Sequence, residues 1–244
     1  MTLPESVRAL ERDLRTIFGG RLQSLVAYGL QRAARAGSGD AHHSGHTPPA
    51  AIHTVAIVET LSTVDLRSCA ERARAWHDAG LATPLLVAAP ELARSLDAFP
   101  LEFGAILADH AVVSGRDPFD GLRVDPADLR RACEVQARSH LLHLREGFVE
   151  ARGNADALAV LIVRSAAPLA ALLESLGRLQ EVAARDREAV GRHIERALGT
   201  PGIVTEVIKL AHVTEISAAD AVRLFPSYLD AVEKLVAYVD AWKS

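Results

Sequence analysis

Residues 111–150 read AVVSGRDPFDGLRVDPADLRRACEVQARSHLLHLREGFVE, and the character of the chain changes within them. An apolar, β-branched segment is followed by the turn-forming pair Asp117-Pro118. Asp125-Pro126 then predicts the start of a long helix, because an aspartate cap followed by proline suits the first helical turn. The change predicts an α/β unit over residues 1–122 and an all-helical bundle over residues 123–244.

Upstream of this boundary, short apolar segments alternate with helical patterns. Apolar segments bounded by glycine, proline or polar residues predict strands, and apolar residues three and four apart predict helices. The predicted strands cover residues 22–29, 52–59, 83–89, 99–106 and 111–115. This order predicts an α+β fold in which a mixed sheet is flanked by helices.

Downstream of the boundary, the apolar residues keep a helical period to the end of the chain. Predicted helices cover residues 126–152, 154–184, 186–199, 202–213 and 218–242. Pro168 lies inside the second of them and predicts a kink or a break, because proline cannot donate the main-chain hydrogen bond. The last helix has an apolar face that predicts contact with a second copy or another partner. The residues of that face are Leu229, Val232, Leu235, Val236, Val239 and Trp242.

The composition is that of a soluble globular protein, with 49% apolar and 24% charged residues. A formal net charge of −4 provides no bulk attraction for nucleic acid or for an anionic membrane. No apolar run looks long enough to span a bilayer, so we expect a cytoplasmic protein without membrane contact. Cys69 and Cys133 lie in helical apolar patterns, which favours buried thiols over a disulfide.

The order of these elements resembles that of bacterial nucleotidyltransferase-fold proteins with a helical C-terminal domain, which are distant relatives of the antibiotic nucleotidyltransferases. The segments that carry the resemblance are LVAYG (25–29), AAIHTVAIVE (50–59) and the stretch from Phe99 to Glu150. The resemblance is clearest in the last of these, and after Asn154 it extends only to the architecture. It implies a nucleotide site built by the first two strands.

In working members of that family, a Gly-Ser after the first strand holds the phosphates, and acids on the second strand and on a later strand hold magnesium. Acids at positions i and i+2 of a strand point to one face, so they can share metal ions. In this chain Gly29 is followed by Leu30, and Ala51 and His53 stand at the two acid positions. Glu102 is the remaining candidate for the third acid. The resemblance therefore implies a degenerate, catalytically impaired site.

The first expectation is thus a pseudoenzyme that binds a nucleotide or serves as a regulator, with a homodimer formed through the helical unit. The residues expected to contact the nucleotide are Gly29, Leu30, Arg32 and His53. A non-enzymatic protein-interaction module, without any ligand, is an alternative to this expectation.

Another alternative is an active enzyme that transfers a nucleoside monophosphate from a magnesium–nucleoside triphosphate to a hydroxyl of a small molecule or a protein. Glu102 and Asp40 would then hold Mg²⁺, and Glu134 would act as a general base for the acceptor. Glu134 also lies four residues before Arg138, a spacing that is equally typical of a surface ion pair on a helix.

The predicted loop over residues 36–50 contains His42, His43 and His46, and His53 follows in the next strand. Imidazole groups suit Zn²⁺ better than Mg²⁺, so a zinc site is one interpretation. The surrounding glycine, serine and proline residues favour the other interpretation, a solvated loop without metal.

Overall fold

The computed structural model describes residues 3–30, 51–180 and 187–242, and the side chains of all of these except residues 187 and 212. Its contacts divide the chain into two compact units, Met1–Val124 and Asp125–Ser244. The first contains a four-stranded mixed sheet with flanking helices, and the described part of the second is helical. The fold is α+β, as the sequence predicted.

The described part of the N-terminal unit contains four α-helices and four strands. The helices are α1 (Glu5–Phe18), α2 (Thr63–Asp78), α3 (Leu92–Ala98) and α4 (Pro100–Ala108). The strands are β1 (Leu22–Tyr28), β2 (His53–Val58), β3 (Leu85–Ala88) and β4 (His110–Gly115). They lie in the order β3-β2-β1-β4, and β1 is antiparallel to both of its neighbours while β3 runs parallel to β2.

The strand predicted over residues 99–106 is wrong, because the chain forms α4 there. Pro100 occupies the first helical turn, where its fixed φ suits a helix and its missing N–H costs nothing. Phe103 and Ile106 are buried three residues apart, as on one side of a helix. In a segment this short and this apolar, alternation and helical spacing coincide, so the period alone could not separate the two.

Helices cover both faces of the sheet. On one face, Leu14 of α1 and Trp76 of α2 belong to the same buried cluster as Leu25 of β1. On the other face, Val55 of β2 and Phe103 of α4 share a second cluster. Successive strand residues point to opposite faces, so β2, which is buried from Thr54 to Val58, supplies both clusters. Over the described residues, both faces of the sheet are therefore packed against helices.

The described part of the C-terminal unit contains five α-helices. They are α5 (Pro126–Ala151), α6 (Ala155–Leu179), α7 (Arg187–Leu198), α8 (Ile203–Lys209) and α9 (Ala218–Asp240). Side chains of Asp125, Asn154 and Ser217 accept main-chain N–H groups at the starts of α5, α6 and α9. α6 continues through Pro168 without the break that proline suggested, and Pro168 itself lies on the exposed side.

A buried polar network joins the three long helices of this unit. The Tyr228 hydroxyl of α9 lies 2.7 Å from Nε2 of His140 on α5 and 3.0 Å from the Ser165 hydroxyl on α6. The Ser165 hydroxyl donates to the Ile162 carbonyl oxygen at 2.8 Å. Because polar groups are costly to bury without partners, this network specifies how the three helices meet.

α6 also differs from the expectation about membrane-spanning segments. By length and composition alone it could cross a membrane, contrary to the expectation that no apolar run would suffice. Twelve of its residues are buried in the protein, which is the arrangement of a core helix. Core helices pass the same test, so this helix does not decide whether the protein meets a membrane.

Candidate functional site

The ends of three strands meet at one edge of the sheet. Tyr28, the last residue of β1, pairs with His53 at the start of β2 on one side and with His110 at the start of β4 on the other. Both neighbours are antiparallel to β1, so their first residues necessarily lie beside its last. We refer to Tyr28, Gly29, His53, Asp109 and His110 as the strand-end site.

Gly29 directs the chain out of β1. Its φ of 67° lies in the left-handed region, which favours glycine because there is no Cβ to clash. Its N–H donates to the Asp109 carbonyl oxygen at 3.0 Å, which ties the end of β1 to the start of β4. Leu30 is buried directly after this turn. The position that resembles the phosphate-binding serine of the family thus supplies packing instead of a hydroxyl.

His53 is exposed and lies against Tyr28. The two ring centroids are 5.5 Å apart and the planes are tilted by 39°. Tyr28 is half-buried and packs against the cluster that holds Phe103, so one side of the Tyr28–His53 pair is in contact with the core. Ala51, two residues before His53, is exposed. The two positions where the resemblance implies carboxylates therefore carry a methyl group and an imidazole, and the imidazole lies against Tyr28.

His110, the first residue of β4, contacts both α4 and the turn that follows β4. Its Nδ1 lies 3.1 Å from the Ile106 carbonyl oxygen and 3.3 Å from that of Leu107, at the C-terminal end of α4. Its Nε2 lies 3.2 Å from a carboxylate oxygen of Asp117. The Phe119 N–H donates to the same carboxylate, and this bond, with His110 beside it, lowers the pKa of Asp117. These contacts hold the start of β4, the end of α4 and the following turn together.

Glu102 is placed differently from its expected position. It lies in the first turn of α4 and is exposed, so it is not the strand acid that the resemblance implied. A carboxylate on a helix does not share the two-residue spacing that makes strand acids converge. Asp40, Arg32 and the histidines at positions 42, 43 and 46 lie outside the described residues, so their expected roles stay predictions.

Glu134 lies on α5 in the helical unit, whereas the strand-end site belongs to the N-terminal unit. Its carboxylate is 3.6 Å from Arg138, and Arg138 also contacts Asp240 of α9 at 2.7 Å. Arg145 contacts Glu233 of α9 at 2.7 Å. The row of charges along α5 therefore links two helices of the bundle, which is the surface ion-pair interpretation of the Glu134–Arg138 spacing.

Tyr28, Asp109 and His110 are the residues of this site that the sequence did not single out, and the last two directly precede a predicted strand. The signal was present as an acid and an imidazole directly before the apolar segment of β4. Its meaning depended on the pairing of β4 with β1, which are separated by more than eighty residues in the chain. A non-local pairing of this kind leaves no trace in local periodicity.

Other polar groups do not form a rival metal site within the described ranges. Over residues 3–30, 51–180 and 187–242, no group of three His, Cys, Asp or Glu side chains could hold a metal ion. Both thiols are buried, and burial raises the pKa of Cys133 to about 12, which makes that thiol unreactive.

Among the surface cavities in the described part of the helical unit, two open ones of about 520 and 370 Å³ share Gly199 and Pro201 as lining residues. Charges in the smaller one are paired within the fold. Arg223 lies 2.7 Å from Glu206, and Lys234 lies 2.9 Å from Asp230. The charged groups that line the smaller cavity therefore have partners within the fold, which makes it a weak candidate for a ligand site.

Comparison with known proteins does not assign a family. No protein-family model matches the chain. No curated protein matches it either.

Proposed function

We propose that the N-terminal unit is a nucleotidyltransferase-like domain with a degenerate transferase site, which binds a nucleotide and serves in regulation instead of catalysis. The observation that carries this proposal is the pairing of Tyr28 with His53 beside the left-handed turn at Gly29. That pairing brings together the end of the first strand and the start of the second, which are the two places where the family resemblance puts nucleotide contacts.

The loss of catalysis is supported by what occupies those positions. Leu30 is buried and apolar, and Ala51 has no ligand atom. His53 offers a nitrogen donor, which suits Mg²⁺ poorly because this ion prefers oxygen ligands. Phosphoryl transfer relies on metal ions to neutralise the developing charge, so these three substitutions act against it.

Nucleotide binding without that chemistry is supported by the groups that remain. The exposed His53 imidazole can donate to a phosphate oxygen, and Tyr28 beside it provides an aromatic surface for a base. The main chain of Asp109 lies next to Gly29 through the hydrogen bond from the Gly29 N–H, so Asp109 replaces Glu102 as our candidate for the acid of this site. A carboxylate of this kind can accept hydrogen bonds from ribose hydroxyls.

Calorimetric titration with ATP, GTP, CTP and UTP, with and without Mg²⁺, tests the proposal. We expect binding of at least one nucleotide that does not require Mg²⁺ and that weakens about tenfold in His53→Ala, the usual scale for a charge-assisted contact. His143→Ala is the matched control, because His143 is an exposed histidine of the helical unit and its removal should leave the affinity unchanged.

A transfer assay with labelled Mg²⁺–nucleoside triphosphates completes the test. We expect no transfer by the natural chain, and transfer at rates typical of enzymes would contradict the proposed loss of catalysis. Glu102→Ala should leave nucleotide affinity unchanged, because Glu102 lies on α4 and not on a strand. The combined substitutions Leu30→Ser, Ala51→Asp and His53→Asp should make nucleotide binding depend on Mg²⁺.

A further inference from the structure

The outward face of α5 has an apolar row that the fold leaves uncovered. Val135, Leu142 and Val149 follow one another at seven-residue steps and are 63%, 61% and 72% exposed. At 3.6 residues per turn, the three lie within about 40° of one another around the helix. Cys133 and Leu144, which are buried, belong to the opposite side. Apolar rows of this kind on an exposed helix face are typical of a contact surface.

The face of α9 that the sequence suggested as a dimer surface is already occupied. Val232, Leu235 and Val239 are each 2% exposed, and α9 packs against α5 and α6 within the unit. A second copy of the chain therefore has no access to these three side chains. If the helical unit associates with another copy, α5 offers the exposed apolar row that α9 does not.

The pattern around this row is that of a coiled-coil heptad with Val135, Leu142 and Val149 at the d positions. The a positions are then Ala132, Ser139 and Glu146, the g positions Arg131, Arg138 and Arg145, and the e positions Gln136, His143 and Glu150. Two of the three a residues are small, which lets a second helix approach closely. One edge of the row is basic throughout, and the other ends in a carboxylate.

These charges are complementary to those of a second copy of α5 in one relative orientation of the two helices. In an antiparallel pair of identical helices the g edges face each other, which would put the arginines of one copy against those of the other. In a parallel pair each g residue faces the e residue five positions further along the other helix. Arg145 then faces Glu150 of the second copy, while keeping its contact with Glu233 in its own chain.

We propose that the outward face of α5 binds the same face of a second copy of this chain, with the two α5 helices parallel. Glu146 would meet its counterpart at an a position, and this like-charge contact weakens the pair. The dimer is therefore weak and reversible, which suits a regulatory protein. The proposal does not depend on the nucleotide site, since the two lie in different units.

Analytical ultracentrifugation over a range of concentrations tests the surface. We expect reversible dimers of the natural chain, association at least about tenfold weaker in Leu142→Asp, as for an apolar anchor at an interface, and tighter association in Glu146→Leu. Val64→Asp is the control, because Val64 is 69% exposed on α2 in the other unit. A natural chain that stays monomeric throughout, or Leu142→Asp that associates as tightly as the natural chain, would overturn the proposal.

Oxidative cross-linking of Val149→Cys tests the direction. In a parallel pair the two introduced thiols face each other and form a disulfide-linked dimer, whereas in an antiparallel pair they lie about 25 Å apart, given the helical rise per residue. The natural chain is the control, because its two cysteines are buried. Glu150→Arg should weaken association by facing Arg145 of the second copy. Absence of the cross-link in a chain that dimerises would refute the parallel arrangement.

Discussion

The two units each contain a histidine–tyrosine pair, and the pairs differ in almost every physical respect. Tyr28 and His53 lie at the exposed end of two strands, in ring contact and beside a left-handed glycine. Tyr228 and His140 lie inside the helical bundle, hydrogen-bonded at 2.7 Å and cut off from solvent. The same two residue types thus serve helix packing in the helical unit and, in our proposal, nucleotide binding in the N-terminal unit, and burial is what separates the two pairs.

Burial also sets the protonation of the inner pair. It lowers the pKa of His140 to about 4, with a smaller effect from the nearby His143, and it raises the pKa of Tyr228. Both groups are therefore neutral at physiological pH, which is the state in which a buried hydrogen bond is least costly.

Removing each tyrosine should give the largest difference between the pairs. Tyr228→Ala should lower the free energy of unfolding by about 4 kcal/mol, because a buried aromatic side chain is lost and His140 loses its hydrogen bond to the tyrosine hydroxyl, while Ser165 keeps its bond to Ile162. Tyr28→Ala should cost less than about 2 kcal/mol, since Tyr28 is only half-buried. Urea unfolding followed by circular dichroism measures both. Equal losses would mean that burial does not separate the pairs as we describe.

The pH dependence of stability should separate the pairs next. Folded His140 has a pKa near 4 and the ordinary value is 6.5. Between these values the unfolded chain binds a proton that the folded chain does not. The contribution of neutral His140 to the free energy of unfolding is therefore complete above pH 6.5. It is lost as the pH falls towards 4, by up to about 3 kcal/mol.

Substitution of single histidines tests this assignment. His140→Gln should flatten the stability curve between pH 6.5 and 4, measured by urea unfolding at several pH values. His77→Gln is measured beside it as the control for removing an exposed histidine, since His77 lies on α2 in the other unit. A slope that persists in His140→Gln would show that another group titrates in this range.

The smallest expected change in stability concerns Gly29, the glycine beside Tyr28 and His53. Gly29→Ala forces a Cβ into a backbone with φ 67°, which should cost about 1 kcal/mol. Gly121→Ala is the matched control, with φ 73° and open space where its Cβ would lie. Both variants should lose similar stability in urea unfolding, but only Gly29→Ala should weaken nucleotide binding in calorimetry. Equal affinities in the two variants would separate Gly29 from the site.

The helices and strands that the sequence predicted correctly were those marked by local patterns of residues. The caps at Asp125 and Asn154 and the long apolar periods located α5 and α6, and the β-branched segments located the four strands. α4 was missed because residues 99–106 satisfy both periods. The helix break that proline can cause did not occur at Pro168. Pro168 lies on the exposed side of α6, so the carbonyl oxygen four residues earlier, which has no N–H to accept from, can face solvent.

The candidate site was predictable only in part. The resemblance placed Gly29 and His53 near each other, and the β1–β2 pairing brings their strand ends together. Asp109 and His110 were missed because they join the site through the β4–β1 pairing, which no local pattern encodes. Glu102 was chosen for its acidity within an expected strand, and it lost that place when the segment proved helical.

Nuclear magnetic resonance of the two histidine–tyrosine pairs during nucleotide titration, without Mg²⁺, tests the central claim most directly. The account predicts that ring signals of His53 and Tyr28 and the amide of Gly29 shift and saturate, while those of His140 and Tyr228 stay unchanged. Signals that remain still at His53 and Tyr28 with every nucleotide, or that move only at the buried pair, would contradict a nucleotide site at the strand ends.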